Sequence, residues 1–239
     1  MSIKTILFDL DGPLLPMEQG LFVKAYFKQL AQTLAPLGYE PKKLTDAVWS
    51  GTAAMIKNDG NIINEEVFWQ TFAQLYGEKS LQDRPLFDEF YKNEFQNVKE
   101  VCGYNEKAST AVHFAKELGF RVVLATNPIF PSTATHSRIR WAGLEPDNFE
   151  LITTYENTAF SKPNIKYYSD IMQKLHTNPQ ECLMVGNDVT EDMVAEKIGM
   201  KTFLLTDCLI NKENKDISDY QNGGFDELMK YLEEIKKYS

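Results

Sequence analysis

The segment IKTILFDLDGP, residues 3–13, sets two aspartates directly behind an apolar run. Residues 3–8 are apolar and rich in β-formers, and the Asp-Gly-Pro turn at 11–13 follows them, so the segment predicts a short buried strand. Asp9 and Asp11 would then lie at the carboxyl end of that strand. Because burying two carboxylates there is costly without a cation, the segment predicts a functional site rather than an ordinary turn.

Strand and helix patterns alternate after Cys102, which predicts βαβ units and a parallel sheet. The predicted further strands are 121–126, 149–153, 182–186 and 201–206. The predicted helices are 106–118, 132–141, 165–175, 191–198 and 226–236. The fold class that follows is α/β, with a Rossmann-like parallel sheet covered by helices on both faces.

Between the first strand and this alternation, residues 17–98 show helical periodicity and no convincing strand. Four helices are expected, the third with Asn64 as N-cap and Gly77 as its stop, and the fourth opened by Pro85 and running through Phe95. We therefore predict two domains. An α/β core comprises residues 1–15 and 100–239, and a small helical domain, residues 16–99, is inserted after the first strand.

The composition bounds the possible functions. The chain has 239 residues, 34 acidic and 25 basic side chains and a formal net charge of −9, with 43% hydrophobic residues. These values exclude a mainly disordered chain and argue against broad binding to nucleic acid or anionic membranes, which needs a basic face. No apolar run reaches the roughly 18 residues of a membrane span. Cys102, Cys182 and Cys208 form no CxxC pair, so reduced thiols and a cytoplasmic location are expected.

Unusual polar residues follow four of the predicted strands. They occur in the segments 8–12, 125–128, 160–163 and 185–192. Because ligand sites of open α/β sheets lie at the carboxyl ends of the strands, these segments are expected to converge on one crevice. Several carboxylates in such a crevice suit Mg²⁺, and the metal, a lysine and backbone N–H groups together would receive a phosphoryl group.

These four segments, in this order and spacing, resemble the motifs of the haloacid dehalogenase (HAD) superfamily of phosphohydrolases. The branch it resembles carries a helical (C1-type) cap inserted after the first strand. The resemblance implies that Asp9 is the nucleophile that forms an aspartyl-phosphate. It implies that Asp11 is the general acid and base, with its backbone carbonyl facing the metal.

The remaining site residues are likewise implied by the resemblance. Lys162 would neutralise the charges of the nucleophile and the phosphoryl oxygens. Asp192 would not bind the metal directly but would position the metal-bound waters or Lys162. The residues implied to bind phosphate are Leu10, Asp11, Thr126, Asn127 and Lys162, and the implied Mg²⁺ ligands are Asp9, Asp11 and Asp188. Two positions depart from the family pattern, because Pro13 replaces a usual threonine and Asn187 separates Gly186 from Asp188.

The predicted function is Mg²⁺-dependent hydrolysis of a small phosphorylated metabolite. A sugar phosphomutase of the same superfamily and a non-catalytic phosphate-binding or regulatory module stay open as alternatives, whereas Asp11 argues against a dehalogenase. The helical domain contains aromatic residues that could line the pocket and lysines that could meet a second anionic group. Aromatic residues at helical spacing are more often core, and lysines are more often solvated on the surface, so the composition of this domain indicates no substrate. The aromatic candidates are Trp49, Phe68 and Trp69, and the cationic candidates are Lys24, Lys28, Lys42, Lys43 and Lys57.

Overall fold

The computed structural model describes residues 2–237 and contains one six-stranded parallel sheet. In chain order the strands are β1 (Thr5–Phe8), β2 (Arg121–Leu124), β3 (Leu151–Ile152), β4 (Cys182–Gly186), β5 (Lys201–Leu205) and β6 (Asn222–Gly223). Their spatial order is β3-β2-β1-β4-β5-β6. The order reverses at β1, where the crevice of an open α/β sheet forms, so the α/β fold class is confirmed.

Eight α-helices accompany the sheet within the described residues. The first four, between β1 and β2, are α1 (Gln19–Leu34), α2 (Pro41–Ile56), α3 (Asn64–Tyr76) and α4 (Arg84–Lys92). The other four are α5 (Glu106–Glu117), α6 (Ser132–Trp141), α7 (Ile165–Leu175) and α8 (Phe225–Lys237). We call α1 to α4 the helical region. The division into two domains stays a prediction, and residues 1, 238 and 239 of the predicted core lie outside the described residues.

Strand β1 is an inner strand of the sheet, and it places Asp9 at its own carboxyl end, between the ends of β2 and β4. All four residues of β1 are buried, as expected for a strand covered on both faces. Phe8 is in register with Leu124 of β2 and Val185 of β4. The residues that follow these three strands therefore lie side by side, and the Asp9 N–H donates to the Val185 carbonyl at 3.0 Å.

Two predicted helices, the one opened by Pro85 and the one over residues 191–198, were wrong in part. The first of them does not run through Phe95, because α4 ends at Lys92 and a 3₁₀ helix, Glu94–Val101, follows it. In place of a helix over 191–198 the chain forms a turn and a 3₁₀ helix, Met193–Ile198. The Asp192 carboxylate accepts from backbone N–H groups before it, which holds this segment as a turn.

Asn64 is not an N-cap, because Ile63 precedes the helix and Asn64 is its first residue. The Asn64 side chain is buried and donates to the Pro128 carbonyl at 3.1 Å and to Ser161 Oγ at 3.2 Å. It therefore ties α3 to two of the loops at the carboxyl ends of the strands. Gly77 ends α3 as predicted, and α4 opens with Arg84 and Pro85.

Two further expectations concern the chain as a whole. No helix within residues 2–237 combines the length and the apolar character needed to cross a membrane. The thiols of Cys102, Cys182 and Cys208 are free, in line with the expectation of reduced cysteines.

Candidate active site

Lys162 links two carboxylates from different ends of the chain. Its ammonium lies 2.9 Å from Asp9 Oδ1 and 2.6 Å from Asp192 Oδ1. The side chains of Lys162 and Asp192 are each only 1% exposed, and that of Asp9 is 12% exposed. A buried charge is tolerated when it is paired, so the three side chains form one ionic unit beneath the end of β1.

Burial and the oppositely charged neighbours act in opposite directions on the pKa values of Asp9 and Lys162. Burial raises the pKa of the Asp9 carboxyl to about 8; the Lys162 ammonium opposes this, and the carboxylates of Asp192 and Asp11 add to it. Burial alone would lower the pKa of Lys162, but the charges of Asp192 and Asp9 outweigh it and raise that pKa well above its usual value. Lys162 is therefore a permanent cation, while Asp9 needs further positive charge to ionise fully at neutral pH.

Asp192 also shapes the turn after β4. Its Oδ2 accepts from the N–H groups of Asn187 and Asp188, both at 3.0 Å. Gly186 makes room for it, because a Cβ there would lie 2.2 Å from Asp192 Oδ2. Asp188 in turn accepts, through Oδ1, from the N–H groups of Thr190 and Glu191. Asp192 thus fixes Lys162 on one side and the segment carrying Asp188 on the other.

Asp11 is held by a residue that the sequence reasoning did not single out. Its Oδ2 forms an ion pair with Arg138 of α6, whose side chain is 1% exposed. Asp11 Oδ1 is buried and has no hydrogen-bond partner within residues 2–237. Arg138 therefore fixes one oxygen of the carboxyl group and leaves the other available.

The loop after β2 approaches the same place. The buried Thr126 offers its backbone carbonyl to the hydroxyls of Thr153, at 2.7 Å, and Tyr167, at 2.9 Å. Asn127 donates through Nδ2 to Glu191 Oε2 at 3.2 Å, and its buried Oδ1 has no partner in the described part of the chain. The Asn127 amide therefore joins the ends of β2 and β4.

A cavity of about 300 Å³ brings most of the predicted site residues together. Its floor, at the ends of the strands, contains Asp9, Asp11, Thr126, Asn127, Asp188 and Asp192. Lys162 lies behind Asp9 and Asp192 rather than on the cavity surface, and Leu10 is fully buried. The structure thus gathers the four motif segments at one place, while the chemical roles assigned to their residues stay predictions.

The donor set fits a hard divalent cation. Five carboxylates line the cavity, those of Asp9, Asp11, Asp188, Glu191 and Asp192, whereas two cations, Lys162 and Arg138, contact them. Within residues 2–237 no three side chains of the types His, Cys, Asp and Glu are grouped as a metal site. The predicted ligands do not require such a group, because they combine two carboxylates with the Asp11 backbone carbonyl. The excess of negative charge and the oxygen donors suit Mg²⁺.

Comparison with known proteins decides the family. A family model described as haloacid dehalogenase-like hydrolase matches residues 3–198, which is most of the chain. The protein belongs to the haloacid dehalogenase-like hydrolase family. The resemblance inferred from the four motifs is therefore confirmed, and so is the prediction that the chain is an HAD-like hydrolase. The place and type of the cap stay predictions.

Relatives of this HAD-like hydrolase include phosphatases. A phosphoglycolate phosphatase from Vibrio vulnificus is 28% identical over 205 residues, covering 86% of this chain and 84% of the relative. A glyceraldehyde 3-phosphate phosphatase from Methanothermobacter thermautotrophicus is 24% identical over 223 residues, covering 90% and 91%. The crystal structure of a 2-haloacid dehalogenase from Pseudomonas syringae has a TM-score of 0.62 at 17% identity, covering 97% and 99%. The last likeness concerns the fold alone, because one fold supports several reactions.

Sequence reasoning missed three residues that build the site of this HAD-like hydrolase. Arg138 shares a helical face with Ala134 and Trp141, so an arginine on an otherwise apolar face was the available signal. The Tyr167 hydroxyl donates to the Thr126 carbonyl, and the Tyr168 hydroxyl donates to the Glu191 carbonyl at 2.8 Å. Nothing in the sequence distinguishes these two tyrosines from other apolar positions of α7.

Proposed function

We propose that this protein hydrolyses small phosphomonoesters with Mg²⁺ as cofactor, through an aspartyl-phosphate on Asp9. The observation that carries the proposal is the ionic unit in which Asp9 and Asp192 lie on the floor of a cavity and Lys162 lies directly behind them. A buried lysine beside a buried carboxylate supplies fixed positive charge where a phosphoryl group would sit. The phosphatase relatives support the same reaction class.

Backbone groups around the cavity add to this support. Within residues 2–237, the N–H groups of Leu10, Asp11, Thr126 and Asn127 donate no hydrogen bond to another protein group. Such N–H groups at the ends of strands are suited to phosphoryl oxygens. Together with Lys162 they would hold the phosphoryl group in line with Asp9.

The proposed chemistry has two steps. Asp9 attacks phosphorus and forms the acyl phosphate, while the bond from phosphorus to the ester oxygen breaks and Asp11 gives its proton to the leaving alcohol. A water molecule then attacks phosphorus, Asp11 takes its proton, and inorganic phosphate and the Asp9 carboxylate are released. Bound Mg²⁺, held by Asp9, Asp188 and the Asp11 carbonyl, would neutralise charge on the phosphoryl oxygens.

Arg138 has a positioning role in this proposal. By pairing with Asp11 Oδ2 it restricts the carboxyl group and leaves Oδ1 as the oxygen that would exchange the proton. We further propose that residues 16–99 act as a cap over the core. The Asn64 contacts with Pro128 and Ser161 would hold this cap against the loops that carry the site.

The experiment that tests the proposal is phosphate release from 4-nitrophenyl phosphate with and without Mg²⁺. We expect Mg²⁺-dependent release by the wild-type protein and none above background by Asp9→Asn, because an amide cannot act as the nucleophile. Asp216→Asn, an exposed aspartate in the loop after β5, is the matched control and should keep full activity. Turnover close to wild type in a folded Asp9→Asn protein would overturn the proposal.

A further inference from the structure

The cavity has two chemically different ends. The carboxylates described above form its floor, and its wall is built by side chains from the helical region and from the loops after β2 and β3. Ten aromatic side chains of the described residues belong to this wall, among them Tyr26, Trp49, Phe68, Trp69, Phe130 and Tyr155. No lysine, arginine or histidine lines the cavity among residues 2–237. The wall also contains the uncharged polar side chains of Gln19 and Thr52. The part of a substrate beyond its phosphoryl group would therefore contact mainly aromatic and aliphatic surface and no cation from the part of the chain that the structure describes.

The cations of the helical region lie elsewhere. Lys24, Lys28, Lys42, Lys43 and Lys57 are all exposed and none of them lines the cavity. Arg84 lies 5.2 Å from the ring of Trp69, but its guanidinium is paired with Glu65 and Glu66 outside the cavity. A second anionic group on the substrate would therefore find no cation in the wall.

A second anionic group would also face like charge. Asp188 and Glu191 lie on the cavity floor, and Lys162 is already shared between Asp9 and Asp192. Burying an ionised group without a partner is strongly unfavourable, whereas an aromatic group gains from contact with aromatic walls. Trp49 and Ile56 line the cavity and are 47% and 44% exposed, so apolar surface extends to its mouth.

We infer that this site selects phosphomonoesters of an apolar, preferably aromatic, alcohol and discriminates against substrates with a second anionic group. The inference rests on the proposed phosphatase function and adds its substrate class. This substrate class differs from those in the names of the two phosphatase relatives, phosphoglycolate and glyceraldehyde 3-phosphate, which are small polar compounds. It also disfavours a mutase acting on sugar phosphates, since such a wall offers little to a second phosphate.

The test compares benzyl phosphate with 4-carboxybenzyl phosphate, at saturating Mg²⁺. The two esters share the same leaving-group chemistry and differ by one carboxylate. We expect kcat/KM for benzyl phosphate to be higher by about tenfold or more, because the described residues of the wall offer the carboxylate no cation. Phosphoglycolate should be a poor substrate for the same reason.

A variant that adds the missing cation makes the test specific. Ile56→Lys places an ammonium at the cavity mouth and should shift the kcat/KM ratio of the two esters by about fivefold toward the carboxylated one. Leu75→Lys is the matched control, because Leu75 lies at the end of α3, is 42% exposed and does not line the cavity. It should leave the ratio unchanged.

The outcomes separate the inference from the function beneath it. A wild-type ratio near one, or a preference for the carboxylated ester or phosphoglycolate, overturns the substrate class and leaves the phosphatase function standing. An Ile56→Lys ratio equal to that of Leu75→Lys also overturns the substrate class. Failure to release phosphate from these esters and from 4-nitrophenyl phosphate overturns the proposed function and, with it, the inference.

Discussion

Replacing Lys162 with methionine tests whether this lysine neutralises the buried carboxylates. Methionine has a similar length and no charge, so Lys162→Met removes the ammonium with little change in packing. Asp192, which is 1% exposed, would keep its two backbone N–H donors but lose the cation at 2.6 Å. Removal of one partner of a buried ion pair costs about 3–5 kcal/mol, a large part of a typical stability of about 5–15 kcal/mol.

The assay is urea denaturation of the metal-free protein at pH 7, followed by far-UV circular dichroism. Lys42→Met is the matched control, because the Lys42–Asp46 pair has a similar distance, 2.7 Å, but its side chains are 82% and 59% exposed. We expect no measurable change in the free energy of unfolding for this control. The burial of the pair, rather than its distance, then accounts for the difference between the two variants.

A second change separates charge from packing. Adding Asp192→Asn to Lys162→Met removes the uncompensated charge and should recover part of the lost stability. Two results would show that Lys162 is not the partner of a buried carboxylate. The first is a Lys162→Met variant that is no more destabilised than Lys42→Met. The second is a double variant whose loss of stability equals the sum of the losses of Lys162→Met and Asp192→Asn.

Three further predictions concern the metal, the acid and a turn. Because the pKa of Asp9 is about 8 without metal, Mg²⁺ binding at pH 7 should release protons, and the Mg²⁺ affinity should rise with pH toward 8 and then level off. Calorimetry in buffers of different ionisation enthalpy measures the number of protons released. Asp9→Asn should release fewer protons than the wild-type protein. Arg138→Met should lower kcat for phosphate release by about tenfold or more with a smaller effect on KM, and Arg138→Lys should recover part of it, because Asp11 loses its fixed orientation. Gly12 and Gly38 both have positive φ, but a Cβ on Gly12 would lie 2.5 Å from Asn187 Nδ2, whereas a Cβ on Gly38 would meet no heavy atom within 4 Å among the described residues other than its chain neighbours. Gly38→Ala should therefore cost about 1 kcal/mol of stability, and Gly12→Ala should lower the urea midpoint further. Equal shifts of the midpoint would contradict the close packing at the Gly12 turn.

The strands and the four motif segments were predictable because their signals are local. Residues 3–8 form a run of apolar residues that ends at charged ones, and the structure has a buried strand at Thr5–Phe8. The parallel arrangement follows from the alternation of strands and helices, and it places the strand ends together. The sixth strand, Asn222–Gly223, has two residues and no apolar pattern, so periodicity could not indicate it.

Tertiary contacts decided what local patterns could not. Asparagine is a typical N-cap residue, yet the side-chain amide of Asn64 donates hydrogen bonds to Pro128 and Ser161, which are 64 and 97 residues away in sequence. The pairing of Arg138 with Asp11 likewise joins residues 127 positions apart. Which side chains of the helical region face the cavity depends on how its helices pack, so the choice between the aromatic residues and the lysines needed the structure.

The most direct measurement of the central claim is chemical trapping of the phosphorylated residue. The protein is mixed with Mg²⁺ and 4-nitrophenyl phosphate, quenched and reduced with borohydride, which converts an aspartyl-phosphate to homoserine, and its peptides are sequenced by mass spectrometry. We predict homoserine at position 9, dependent on both substrate and Mg²⁺ and absent from Asp9→Asn. Phosphate release by the wild-type protein with the label at another aspartate, or with none under conditions that trap a control aspartyl-phosphate, would contradict the account.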